Sequence, residues 1–178
     1  MKSIIIIPAR YGSSRFEGKP LFKILGTEMV IRVANICAKV VGKENLYVAT
    51  DNKKISKVVI SNGYKAIMTS TKCLTGTDRV AEAALKVKSD IYVNVQGDEP
   101  TINPKDIKKI IVAKIKYPNH IICGYDKVHK FENPESINLP KVVVNHQKEL
   151  IYISRALVPG KKKKEEKVNY LKQVCIYA

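Results

Sequence analysis

The residues best suited to chemistry crowd into one early stretch, Pro8-Ala9-Arg10-Tyr11-Gly12-Ser13-Ser14-Arg15-Phe16-Glu17-Gly18-Lys19-Pro20. Arg10, Arg15 and Lys19 supply cations, Ser13 and Ser14 supply hydroxyls, and Gly12 and Gly18 let backbone N–H groups approach an anion closely. A polyphosphate requires these parts. The spacing fits neither the GxGxxG dinucleotide fingerprint nor a Walker A loop, because Lys19 precedes proline instead of Ser or Thr. A polar surface loop with incidental cations is the competing reading. A second constellation is Gln96-Gly97-Asp98-Glu99-Pro100. Asp98 can hold Mg²⁺, which takes one or two carboxylates and completes its octahedron with phosphate oxygens and water. Gly-Asp is equally a common turn pair. The third is Thr75-Gly76-Thr77-Asp78-Arg79, where Thr77 or Asp78 reads as a helix N-cap. Arg79 in that first turn opposes the helix dipole, so capping does not account for it.

A repeating pattern must position these stretches. The isoleucine run at residues 4–7 predicts a central strand ended by Pro8. Thr27 is placed to cap a helix with Val30, Val33, Ile36, Cys37, Val40 and Val41 on its apolar face. A strand at 46–49 follows, then a helix capped by Asp51 that carries Ile55, Val58 and Val59 and stops at Asn62-Gly63. A strand at 66–68, a helix through Val80, Ala84 and Val87, a strand at 91–95 and a helix opened by Asn103-Pro104 complete the alternation. Strands alternating with helices predict an α/β fold, a mostly parallel Rossmann-like sheet with helices on both faces. In such sheets ligands sit at the carboxyl ends of the strands, and all three constellations fall on that rim. After Tyr117 the chain becomes β-rich, with strands predicted at 121–123, 142–144, 150–153 and 174–177. The run Lys161-Lys162-Lys163-Lys164-Glu165-Glu166-Lys167 reads as an exposed loop.

The 178 residues, 45% hydrophobic and 27% charged, suit a single globular domain over 1–178 and exclude disordered and collagen-like classes. A formal charge of +16 raises nucleic acid as a partner, yet only Arg10, Arg15, Arg32, Arg79 and Arg155 are arginines. The lysines are dispersed as on a solvated surface, so no nucleic-acid partner is expected. Cys37, Cys73, Cys123 and Cys175 form no CxxC pair, which argues against zinc and against a disulfide framework. Cys37, Cys123 and Cys175 lie in apolar segments and read as small core residues. No apolar run approaches the roughly 18 residues of a membrane span, so membrane insertion is not expected and the chain reads as soluble and cytoplasmic.

Six ordered motifs carry a resemblance. They are residues 6–15, Gly18-Lys19-Pro20-Leu21, Val48-Ala49-Thr50-Asp51, residues 75–82, residues 93–100 and residues 152–159, the last reading Tyr-Ile-Ser-Arg-Ala-Leu-Val-Pro. Together they resemble the 3-deoxy-manno-octulosonate (Kdo) cytidylyltransferase family, the CMP-Kdo synthetases. The resemblance implies a nucleotidyltransferase fold and a magnesium-dependent transfer of CMP from CTP to the anomeric hydroxyl of an acidic sugar, with pyrophosphate released. The product would serve lipopolysaccharide or surface-polysaccharide synthesis. It implies that Arg10, Ser13, Arg15 and Lys19 hold the triphosphate and that Thr75 and Gly76 lie by the cytosine, in the segment 68–76. It further implies that Asp98 binds Mg²⁺ and that Arg79, Gln96, Arg155 and Gln173 meet the sugar acid; Arg10, Lys19 and Asp98 are the catalytic set. Where the family has a histidine, this chain has Gln173, which donates a hydrogen bond but carries no proton charge. The acceptor is therefore expected to be Kdo or a close relative such as an amino-Kdo. A sialic-type acceptor and a non-catalytic nucleotide-binding module are the alternatives. The family continues further toward the C-terminus and supplies a second metal-binding aspartate there, so this chain reads as the front of a longer, homodimeric enzyme, inactive as this piece alone.

Overall fold

The computed structural model describes residues 1–12, 16–163 and 168–178. In chain order its elements are β1 (Ser3–Ala9), β2 (Lys23–Ile24), β3 (Thr27–Glu28), α1 (Met29–Val41), β4 (Leu46–Thr50), α2 (Lys53–Ser61), β5 (Lys65–Met68), α3 (Gly76–Ala84), β6 (Ile91–Val95), α4 (Pro104–Lys116), β7 (Cys123–Lys127), β8 (Lys141–Val144), β9 (Leu150–Ser154) and β10 (Leu171–Tyr177). The sequence reads as one domain, whereas the contacts group the chain into two compact units, Met1–Ile122 with Cys175–Ala178, and Cys123–Val174.

In the first unit the strands run β5-β4-β1-β6, all parallel, with the end of β10 antiparallel to β6 through Ile176 and Val95. The four isoleucines of β1 are buried, as β-branched residues of a strand covered on both faces should be. On one face Val80 and Ala83 of α3 pack against Ile4, Ile6 and Ala49. Ile5 and Ile7, pointing the other way by the period of a strand, face the side of α1 and α4, which pack on each other. Contrary to the sequence reading, β1 does not end at Pro8: Pro8 stays in register with Ala49, and Ala9 with Thr50. The ladder to β6 has already ended at Ile6, so a residue without an N–H is tolerated at this strand end.

Three helix starts differ from the expected ones. Thr27 lies in the β2–β3 hairpin, and the first N–H of α1, that of Met29, donates to the Phe22 carbonyl (2.8 Å). Asn52, not Asp51, caps α2 by accepting from the Lys54 N–H (2.8 Å). Thr75 caps α3, which ends at Ala84, short of Val87. The strand expected at 121–123 begins only at Cys123, although Ile122 exchanges backbone hydrogen bonds with Ala178 (2.9 Å each way), and β10 starts before the expected residue 174. Of the three cysteines expected in the core only Cys37 is buried, its thiol pushed up to about 12 by desolvation; Cys123 is exposed and Cys175 half-buried.

In the second unit β8 pairs antiparallel with β9 and with the first residues of β10. It also breaks the expectation that every lysine faces solvent. Lys141 is fully buried, its ammonium donating to the carbonyls of Ser136 (2.9 Å) and Arg155 (2.7 Å). The lysine run is exposed at residues 161–163, as expected of a loop, and residues 164–167 lie outside the described residues.

Candidate active site

A cavity of about 600 Å³ opens in the first unit where β1 and β6 end and α3 begins. Its size is that of a small-molecule site. Each wall has a local cause. Gly18 donates its N–H to the Tyr11 carbonyl (2.9 Å) and closes the first loop with φ at +69°, a left-handed conformation that a β-carbon would strain. The single 3-10 turn that follows, Lys19–Leu21, has Pro20 buried and leaves the Lys19 ammonium free to reach across the mouth. There it meets Asp98 at 2.7 Å, an ion pair between two roughly half-exposed groups. The exposed Arg10 lines the same cavity from the end of β1.

Opposite, Thr75 and Asp78 form a reciprocal capping box. The Thr75 hydroxyl accepts from the Asp78 N–H (3.1 Å), and the Asp78 carboxylate accepts from the Thr75 N–H (2.8 Å). The bond from the Thr75 hydroxyl is the main cause that holds the Asp78 carboxyl below its usual value. Gly76 begins α3 against the Gln96 amide: a β-carbon there would come within 3.3 Å of it. The first turn of α3 is also tied down as Thr77 and Tyr177 share a hydroxyl hydrogen bond of 2.7 Å.

The structure thus brings Arg10, Lys19, Thr75, Gly76, Arg79, Gln96 and Asp98 to one cavity. Arg79 is there on different terms from the other cations. It is 2% exposed, and its guanidinium is spent on Asp51 (2.8 Å) and the Thr69 hydroxyl (2.6 Å). Ser13 and Arg15 lie outside the described residues. Arg155 and Gln173 belong to the second unit, where the Arg155 guanidinium donates to the Ile137 carbonyl (2.7 Å) and the Gln173 N–H to the Pro140 carbonyl (2.9 Å).

Sequence reasoning gave Asp51, Gly97 and Glu82 no role at the site. Asp51 follows a strand on the carboxyl rim, a position that could have flagged it beyond capping. Glu82 has no such signal: it acts by accepting the Ser70 N–H (2.9 Å), the Cys73 thiol (3.2 Å) and the Lys86 ammonium (3.0 Å). The Ser70 N–H foremost, then Lys86, hold its carboxyl at about 2 against an ordinary 4.5. Because the folded value is the lower one, this latch contributes fully above about 4.5 and is lost as pH falls through about 2. The amide signal of Ser70, followed by NMR, is therefore expected to titrate with a midpoint near 2; a midpoint at 4.5 would mean that the latch does not form.

The donor set suits a hard divalent cation. Asp98 offers a carboxylate oxygen in the cavity that Arg10 and Lys19 also line, the hard kind of donor that Mg²⁺ takes. Among the described residues no group of three His, Cys, Asp or Glu side chains converges. Among them, too, no helix is long and apolar enough to cross a membrane.

Comparison with known proteins gives the family. The chain is 40% identical over 180 residues to the 3-deoxy-manno-octulosonate cytidylyltransferase of Escherichia coli, covering 99% of this chain and 72% of the relative. It is 36% identical over 185 residues to the 8-amino-3,8-dideoxy-manno-octulosonate cytidylyltransferase of Shewanella sp. strain ANA-3, covering all of this chain and 74% of that one. A solved CMP:2-keto-3-deoxy-manno-octonic acid synthetase in complex with CTP superposes with a TM-score of 0.89 at 39% identity, over 99% of this chain and 73% of its own. The family model described as cytidylyltransferase matches residues 4–178, and the chain is a member of that family of CTP-dependent nucleotidyltransferases.

Proposed function

We propose that the protein transfers CMP from CTP to the anomeric hydroxyl of a 3-deoxy-2-ulosonic acid, Kdo or a close relative, and releases pyrophosphate. The observation that carries this reading is the convergence of Arg10, Lys19 and Asp98 on one cavity at the sheet's carboxyl rim. Arg10 and Lys19 hold triphosphate oxygens there and stay fixed as charge moves onto the leaving pyrophosphate, so the stabilisation is in place before the reaction starts. Asp98 is the protein ligand for Mg²⁺. When bound, that ion neutralises the α-phosphate and leaving group and makes the acceptor hydroxyl easier to deprotonate. Thr75 and Gly76 form the wall on the nucleotide side, and Gln96 offers its amide to the acceptor. No side chain of the cavity is needed as a nucleophile, because the acceptor hydroxyl attacks phosphorus directly and the protein's part is orientation. Ser13 and Arg15 on the triphosphate, and Arg155 and Gln173 on the sugar acid, are assigned on the resemblance alone, as is the homodimer.

Because Gln173 stands where the family has a histidine, an 8-amino relative of Kdo is the second acceptor to be tested. The test is pyrophosphate release by the full-length protein with CTP and Mg²⁺, offered in parallel Kdo, its 8-amino-8-deoxy relative and a sialic acid. Release that requires CTP and one of the first two is expected, and competition between them ranks the acceptors. CTP binding with no release for any ulosonic acid would leave a nucleotide-binding module in place of an enzyme.

A further inference from the structure

Arg79 sits in the cavity wall but not in the manner of a ligand-binding cation. A residue that meets a substrate carboxylate must present N–H groups to the open site. The Arg79 fork instead faces protein: one terminal nitrogen reaches the Thr69 hydroxyl (2.6 Å) and the Ser70 carbonyl (3.5 Å), the other the Asp51 carboxylate (2.8 Å). The pair is buried, with side chains 2% and 15% exposed, and the remaining Asp51 oxygen has no partner among the described residues. A buried guanidinium of this kind is tolerable only while its carboxylate stays in place, and the reverse holds equally.

Three separate chain ends meet in this pair. Asp51 directly follows β4, Thr69 directly follows β5, and Arg79 stands in the first turn of α3. The Thr69 N–H also donates to the Thr50 carbonyl (2.9 Å). From Thr69 the chain runs out through residues 69–75 to become the Leu74, Thr75 and Gly76 wall of the cavity. Glu82, three residues beyond Arg79 and so on the same helix face, holds this segment at Ser70 and Cys73. Lys86 holds its start through the Met68 carbonyl (2.7 Å).

We propose that Asp51, Arg79 and Glu82 are positioning residues: they splint the segment 69–75 onto α3 and so set the nucleotide-facing wall, and Arg79 acts through that wall instead of touching the sugar acid. This rests on the cytidylyl-transfer reading. Its consequence is a split between the two substrates. Loosening the splint weakens CTP, whereas losing a true acid ligand weakens the acceptor.

The test compares Asp51→Asn, Glu82→Gln and Arg79→Lys in the full-length protein. CTP affinity is measured by calorimetry without acceptor, and KM is measured separately for CTP and for Kdo. Arg79→Lys and Glu82→Gln each lose at least one charge-assisted hydrogen bond to the segment, and Asp51→Asn loses the carboxylate that holds Arg79 against it, so CTP binding is expected to weaken about tenfold or more while the KM for Kdo moves less than about twofold. Glu82→Gln removes no buried charge, so it keeps the test decisive where Asp51→Asn does not fold. An Arg79→Lys enzyme whose Kdo KM rises while CTP affinity stays put, with Asp51→Asn and Glu82→Gln binding CTP normally, would make Arg79 a substrate ligand and overturn the proposal. Failure of the wild type to bind CTP would instead overturn the cytidylyl-transfer reading, and the splint with it.

Discussion

Asp98→Asn is expected to lower kcat by about 10³-fold or more while leaving the folded structure and its unfolding midpoint in place. The substitution keeps the shape and removes one charge. Asp98 is the protein ligand for the metal in this mechanism, and charge stabilisation by a bound cation is worth several kcal/mol in a transition state, with each 1.36 kcal/mol a factor of about ten in rate. The fold has little to lose, because the ion pair of Asp98 with Lys19 joins two side chains that are 49% and 38% exposed. Such pairs contribute roughly 0–1 kcal/mol. The variant is checked by pyrophosphate release at saturating CTP and by binding of Mn²⁺ as a paramagnetic stand-in for Mg²⁺, both of which should fall, and by thermal unfolding, which should not move. Full turnover in Asp98→Asn would reduce Asp98 to the turn residue that its place after Gly97 also permits.

The rim was readable in advance because it depends on one regularity. Loops after parallel strands share an edge; Arg10 and Gln96 directly follow strands whose apolar runs are unmistakable, and Asp98 lies two residues beyond Gln96. Caps were misread by one to three residues for a physical reason. Thr75, Thr77 and Asp78 can each accept a first-turn N–H, and only tertiary packing decides which does. The buried pair of Asp51 and Arg79 could not be read at all, since it joins residues 28 apart that no local pattern links. Lys141 is a similar case: its two carbonyl partners come from Ser136, ahead of β8, and from Arg155, just past β9, so no local pattern marks it as buried. The division into two units was equally silent, because no glycine- or proline-rich linker announces it at Cys123.

Gly97→Ala tests whether the rim is positioned as tightly as transfer chemistry requires. A β-carbon on Gly97 would lie 2.8 Å from the Pro8 carbonyl oxygen, 3.4 Å from Ile7 Cγ2 and 3.8 Å from Ala9 Cβ. The first contact is closer than real β-carbons approach, and its partner is backbone. β1 cannot yield, since it is paired with β4 through Ala9 and its isoleucines are fully packed. The loop after β6 must move instead, carrying Asp98 and Gln96 with it. Overpacking of this kind costs about 1–3 kcal/mol, which a lowered unfolding midpoint should show. Because displacement of a reacting group by even 1 Å can cost on the order of 10²-fold, kcat/KM is expected to fall by about 10- to 100-fold. Gly160→Ala is the control, since nothing lies within 4 Å of the added carbon, and both stability and turnover should hold there. Asp98→Asn and Gly97→Ala combined should be far from additive, because the second change damages only what the first has already removed. An additive pair would mean that Gly97 matters for packing alone and that the metal ligand tolerates a looser rim.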